Sequence, residues 1–122
     1  MQIAECYEAF GGSYQDVKNR LQNDALIQRL VIKFLADTSY EKLSNAIREE
    51  DYEEAFRAAH TLKGVSQNLS FDRLSDSSQR LTELLRNREH VQIDKAFCEQ
   101  LFTQVSADYQ AVVDAINRLE AQ

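Results

Sequence analysis

From Ile3 to Leu119 the apolar residues of this chain return every three or four positions, and none of the 122 residues is a proline. That spacing lines side chains up on one face of an α-helix and not on one face of a strand. The two residues that break helices most effectively are proline and glycine, and only three glycines are present. The pattern therefore predicts an all-α protein. A chain of this length forms one domain, 1–122, with a core of its own.

The helix boundaries follow from capping residues and breaks. Met1 to Phe10 reads as a short helix with Ile3, Tyr7 and Phe10 along one side, broken by Gly11-Gly12. Ser13 is a plausible N-cap for Tyr14 to Leu21. Asn23 or Asp24 caps a longer helix whose buried stripe is Leu26, Leu30 and Phe34, with Ile27 as an alternative member. After Asp37-Thr38-Ser39, Leu43, Ala46 and Ile47 carry the pattern to about Glu50. Asp51 and Glu54 have the spacing of a capping box and open a helix running to about Leu69. Ser70 is the next N-cap candidate. Leu74, Ser77, Ser78, Leu81, Leu84 and Leu85 then form an amphipathic helix ending near Arg86-Asn87. Asn87 to Gln92 is the longest loop. A final helix runs from about Ile93 to Leu119, its inner face Phe97, Leu101, Val105, Ala111 or Val112, Ile116 and Leu119. The expected architecture is an antiparallel four-helix bundle with short additional N-terminal helices over one end. Whether the helix from Leu26 joins the bundle or crosses it is left open by the pattern.

Charge and composition narrow the function. The net charge is −6 with both signs interspersed, which offers no surface for nucleic acid or anionic lipid. No run of apolar residues is long enough to span a membrane, and the N-terminus lacks the basic and apolar regions of a signal peptide. Cys6 and Cys98 are isolated and without metal-ligand spacing, so two buried free thiols in the cytoplasm are expected. No metal site is expected: a di-iron bundle needs inward-facing Glu-x-x-His pairs, and the chain has none. It also has no glycine loop to cradle a nucleotide's phosphates. His90 lies in the polar loop and reads as solvated. Asn68-Leu69-Ser70 matches a glycosylation sequon by chance, and Glu49-Glu50-Asp51 with Glu53-Glu54 reads as a solvated helix start favoured by the helix dipole.

The stretch Ala58 to Leu69 carries the chemistry. At about 100° per residue, Ala55, Ala58, Leu62, Val65 and Leu69 gather on one side of the helix and His60 stands on the other. Lys63 falls about 60° from His60 in one direction, Gly64 about 40° in the other, and Gln67 nearly in line with it. A lone surface histidine is ordinarily just a polar residue. Here a cation stands one turn away, and a glycine that costs on the order of 1 kcal/mol against alanine in a helix removes bulk beside the ring. Neutral imidazole is a nucleophile at physiological pH, and Lys63 is placed to stabilise charge on a transferring phosphoryl group. Phe56 and Tyr52 either add apolar surface beside the reactive side or pack on a neighbouring helix; both readings stay open.

These residues also carry a resemblance. Ala59-His60-Thr61-Leu62-Lys63-Gly64-Val65-Ser66-Gln67-Asn68-Leu69, followed by Leu74 and Leu81, resembles the signature of histidine-containing phosphotransfer (HPt) domains, roughly His-x-Leu-Lys-Gly-x-(Ser/Ala)-x-x-Leu-Gly. The lead-in Leu21-Gln22-Asn23-Asp24 before the apolar run to Phe34, and Leu43-x-x-Ala46-Ile47 ahead of Asp51, are similar too. The resemblance implies that His60 accepts a phosphoryl group on Nε2, that Lys63 assists electrostatically and that Gly64 leaves room. It departs in two places. Many members have a glycine where this chain has Ser70, and some use a glutamine on the following helix to orient the histidine, where the matching position here is Thr82. Thr82, Gln79 and Glu83 are the candidates for that role.

The reading is a phosphorelay intermediate. A receiver domain carrying an aspartyl phosphate docks over Phe56, Arg57, Lys63, Gly64 and Gln67, flanked by Phe71 and Asp72, with Arg86 at the rim. His60 takes the group and passes it to a second receiver aspartate. The chain is then a carrier without its own ATP site and not an enzyme. It has no cofactor of its own, Mg²⁺ being supplied by the receiver. Its partners are response-regulator receivers and a hybrid histidine kinase, and it acts as a monomer. A start at Met1 and an end soon after the last helix lead one to expect a standalone transmitter, although a piece of a hybrid kinase would read alike. The alternatives are a non-catalytic helical adaptor, in which His60 is dispensable, and a metal-binding bundle, which the missing ligand pairs disfavour.

Overall fold

A computed structural model describes residues 1–120, and among these all regular structure is helical. The helices are α1 (Ile3–Phe10), α2 (Tyr14–Leu21), α3 (Asp24–Lys33) prolonged by a 3₁₀ turn Phe34–Ala36, α4 (Ser39–Arg48), α5 (Tyr52–Asn68), α6 (Asp72–Arg86) and α7 (Lys95–Glu120). Short connections leave α4 against α5, α5 against α6 and α6 against α7, which makes the antiparallel four-helix bundle. The segment α1–α3 packs over one end, with α1 along α7 and α3 held by α1, α2 and α7. The helix from Asp24 thus belongs to the covering group.

Local chemistry starts most helices. Ser13 Oγ accepts from the Asp16 amide at 3.2 Å, Asn23 Oδ1 from Leu26 at 3.0 Å and Asp51 Oδ1 from Glu54 at 3.2 Å, each satisfying a backbone donor the first turn leaves free. Asn23 is therefore the cap of α3, and Asp24 instead accepts from Tyr14 Oη at 2.6 Å and lies 3.0 Å from Lys18 Nζ. Those two hydrogen bonds hold the Asp24 carboxyl below its ordinary value.

Three expectations need correcting. In α3 the buried stripe is Ile27, Val31 and Phe34, while Leu26 and Leu30 are half-buried. In α7 Phe97 is 46% exposed and Cys98 faces inward. Cys98, Val105, Val112 and Leu119, spaced by seven, form the buried line, and position 97 lies to its side. Finally, Ser70 does not cap α6. Phe71 occupies the cap position without a side-chain bond, and Ser70 adopts a left-handed backbone with φ 58°, a conformation that glycine reaches freely and serine does not.

What holds Ser70 there is the N-terminal segment. Its Oγ donates to Asp16 Oδ2 at 2.5 Å and accepts from Arg20 Nη2 at 2.7 Å, and Arg20 also donates to the Asn68 carbonyl at 2.8 Å. The Ser70 carbonyl accepts from the Ser13 amide, and the Gly11 carbonyl from Arg73. Beneath this turn is an aromatic cluster. Phe71 is fully buried, its ring centroid 4.8 Å from Phe10, 5.2 Å from Phe34 and 5.7 Å from Tyr7, and Tyr7 Oη donates to the Leu69 carbonyl at 2.6 Å. Cys6 and Cys98 are both free and buried, and burial pushes each thiol up to about 11, so both stay protonated and unreactive at neutral pH. No described helix is long and apolar enough to cross a membrane.

Candidate functional site

The α5 helix buries Ala55, Ala58, Ala59, Leu62 and Ser66. Val65 is half-buried, so the inward face is centred slightly off the expected stripe. These side chains are mostly small, and α4 and α6 pack on either flank of the helix. His60 is exposed on the outward side, with Lys63 and Gly64 half-exposed beside it and Gln67 exposed one turn further on. Helical spacing alone puts these four together. A Cβ built on Gly64 would meet no atom within 4 Å. Nothing in the fold therefore calls for glycine at this position, and the space beside the imidazole is open.

The α6 helix supplies the polar flank. Gln79 Nε2 donates to Glu83 Oε1 at 2.9 Å, and Arg86 Nη2 donates to the same carboxylate at 3.0 Å. Those bonds, Arg86 first, hold the Glu83 carboxyl below its ordinary value, and the charge of Lys63 adds to the effect. Of the three candidates for orienting His60, Thr82 is fully buried and donates its Oγ1 to the Ser78 carbonyl at 2.7 Å. Glu83 is occupied by Arg86 and Gln79. Gln79 keeps a buried Oε1 without a partner.

The docking residues divide. Arg57 and Gln67 are exposed, Arg57 lying 3.2 Å from Glu53 and 3.7 Å from Glu54. Phe56 is half-buried, with its ring centroid 6.0 Å from that of His60, so both readings of it hold in part. Phe71 is a correction: fully enclosed by Phe10, Phe34 and Tyr7, it presents nothing to a partner. Asp72 beside it is exposed. Arg86 does reach the rim, its guanidinium carbon 5.5 Å from the Phe56 ring centroid.

One residue had no signal in the sequence. Arg88, in the polar loop after α6, folds back so that its guanidinium lies 4.3 Å over the same Phe56 ring. Only the tertiary path of that loop brings it there. His90, in the same loop, is exposed. Among the described residues no group of three His, Cys, Asp or Glu side chains could hold a metal ion.

A family model described as Hpt domain matches residues 32–122. No curated protein and no solved structure gives a significant match. Residues 1–31 lie outside the matched span, yet Tyr7, Phe10 and Val17 are part of the same hydrophobic core as α5 and α6.

Proposed function

This chain belongs to the Hpt domain family, a family of histidine phosphotransfer modules that carry phosphoryl groups in phosphorelays, and from that premise we propose that His60 is the phosphoacceptor, loaded by one receiver aspartate and unloaded by another. The observation that carries this is the open outward face of α5, where an exposed imidazole has a lysine one turn on and a neighbouring position whose added Cβ would touch nothing.

In the transfer, the Nε2 lone pair of neutral His60 attacks phosphorus in line with the acyl-phosphate bond of the receiver. The N–P bond forms as the P–O bond to the aspartate breaks, and that electron pair returns to the carboxylate. The ring keeps its proton on Nδ1. Lys63 offsets charge on the phosphoryl oxygens as they move, and Gly64 leaves them room. Position and charge suffice, because the domain holds the acceptor in a near-attack geometry and leaves the phosphate chemistry to its partner. Mg²⁺ is supplied by carboxylates of the receiver, and the cognate kinase is of the hybrid type. The protein works as a monomer in the cytoplasm, a setting that suits its two free thiols.

The test is to incubate the chain with a receiver carrying radiolabelled aspartyl phosphate. Label should pass to the wild type in an acid-labile, base-stable form and should not pass to His60→Gln. Labelling of His60→Gln at the wild-type rate would overturn the assignment.

A further inference from the structure

We infer that Phe56 and Arg88 hold the His60 ring in its acceptor orientation, in the place where a hydrogen-bonding side chain would otherwise act. The inference rests on His60 being the phosphoacceptor.

Among the described residues no hydrogen bond reaches the ring from α6: Thr82 is spent on its own helix, Glu83 on Arg86 and Gln79, and Gln79, although its buried Oε1 is unpartnered, makes none to His60. What His60 does meet is Phe56, four residues earlier on the same helical face, at 6.0 Å between centroids and a 35° tilt. A half-buried phenyl ring is a firm wall only if something fixes it in turn. Arg88 does so. Its guanidinium carbon lies 4.3 Å from the Phe56 centroid, within the range of cation–π attraction. The charged end is tied down: Nη2 is 3.6 Å from Glu53 Oε1, and Nη1 donates to the carbonyls of Leu85 at 3.3 Å and Arg86 at 3.4 Å. Glu53 stands on α5 one turn before Phe56, so the anchor and the ring share one rigid element.

The burial of Arg88 is the telling detail. A loop arginine in a polar segment ordinarily extends into water, but this side chain is only 16% exposed, and its Nε is buried without a hydrogen-bond partner. Desolvating a charged donor in this way is unfavourable and persists only where other contacts offset it. The aromatic face, the Glu53 carboxylate and two carbonyls do so here. Through Phe56 the α6–α7 loop is thereby coupled to the imidazole. Phe56 and Arg88 are positioning residues: neither need touch the phosphoryl group.

The experiment uses the full chain and phosphoramidate, a small donor that needs no docking surface, with His60→Gln as the blank. It reads the rate of phosphohistidine formation and, by NMR, the three-bond couplings that report the His60 side-chain rotamer. Arg88→Ala and Phe56→Ala should each slow labelling about tenfold, the scale of a small misplacement, and should average the couplings, while Arg88→Ala leaves receiver affinity unchanged. Arg88→Lys keeps the charge but not the planar fork and should recover part of the rate. The clamp is overturned if Arg88→Ala labels at the wild-type rate, or if Gln79→Leu alone reproduces both effects. A wild type that takes no label, but whose single His60 rotamer is averaged in Arg88→Ala, keeps the clamp and removes the phosphoacceptor reading.

Discussion

At Gly12 an added Cβ would lie 2.6 Å from the Phe10 ring, 2.7 Å from the Tyr7 ring and 2.9 Å from the Ser70 carbonyl, whereas at Gly64 it would meet no atom within 4 Å. The two glycines mark two kinds of region. Around Gly12 the covering helices are pressed onto the α5–α6 turn through Phe10, Tyr7 and Phe71. Around Gly64 the helix is bare on its outward side. In the first region a side chain larger than glycine's would have to displace packed atoms. In the second glycine lowers helix stability, and on the proposed function its use lies in what binds there. On that reading packing density separates the residues that serve structure from those that serve exchange with a partner.

The sharpest way to break this division is Phe71→Ala. Emptying a fully buried aromatic site should cost about 3–5 kcal/mol in chemical denaturation, while the folded fraction accepts phosphoryl groups at the wild-type rate. A variant of unchanged stability that no longer binds a receiver would return Phe71 to the docking surface. Next in size, Gly12→Ala should cost about 1–3 kcal/mol, because the two rings and a backbone carbonyl have little freedom to retreat; a neutral result would mean that the covering helices sit loosely on the turn.

Ser70 tests the same region from its backbone. Ser70→Ala removes the hydroxyl shared by Asp16 and Arg20 and keeps the left-handed conformation, for a loss of about 1–3 kcal/mol. Ser70→Gly loses the same bonds but recovers roughly 1 kcal/mol of backbone strain, so it should be the less damaging of the two. Equal losses in urea melts would show that φ 58° carries no penalty here, and that the clip from α2 is the whole of the effect.

The sequence made the exposed face around His60 readable for the reason it left Phe71 unreadable. His60, Lys63, Gly64 and Gln67 lie within eight residues of one helix, so 3.6-residue geometry alone fixes which of them share a side. Caps such as Ser13, Asn23 and Asp51 act over three residues and were equally accessible. Phe71 follows the site in the chain and looks like its flank, yet it is buried by α1 and the turn after α3, from more than 30 residues away. The start of the inward face sits one position off for the same reason, at Ile27 and Val31 of α3 and at Cys98 of α7, while Phe34, Val105, Val112, Ile116 and Leu119 are buried as expected. An apolar period defines a stripe, and the neighbours choose its centre. Arg88 is the extreme case, since only the fold of its loop sets it over Phe56.

The smallest effect is the most discriminating. Gly64→Ala places a methyl group in open space on a helix where alanine is favoured over glycine, so the fold should gain up to about 1 kcal/mol, read as a rise of roughly 4 °C in Tm. The same methyl stands beside the imidazole, where on the proposed function the phosphoryl oxygens pass, so transfer from a phosphorylated receiver should slow by about tenfold. Stability and transfer then move in opposite directions from one carbon atom, which no account of Gly64 as a packing residue can produce. If Gly64→Ala were stabilised and fully active, the open space beside His60 would have no part in the transfer, and the difference between the two glycines would be one of packing alone.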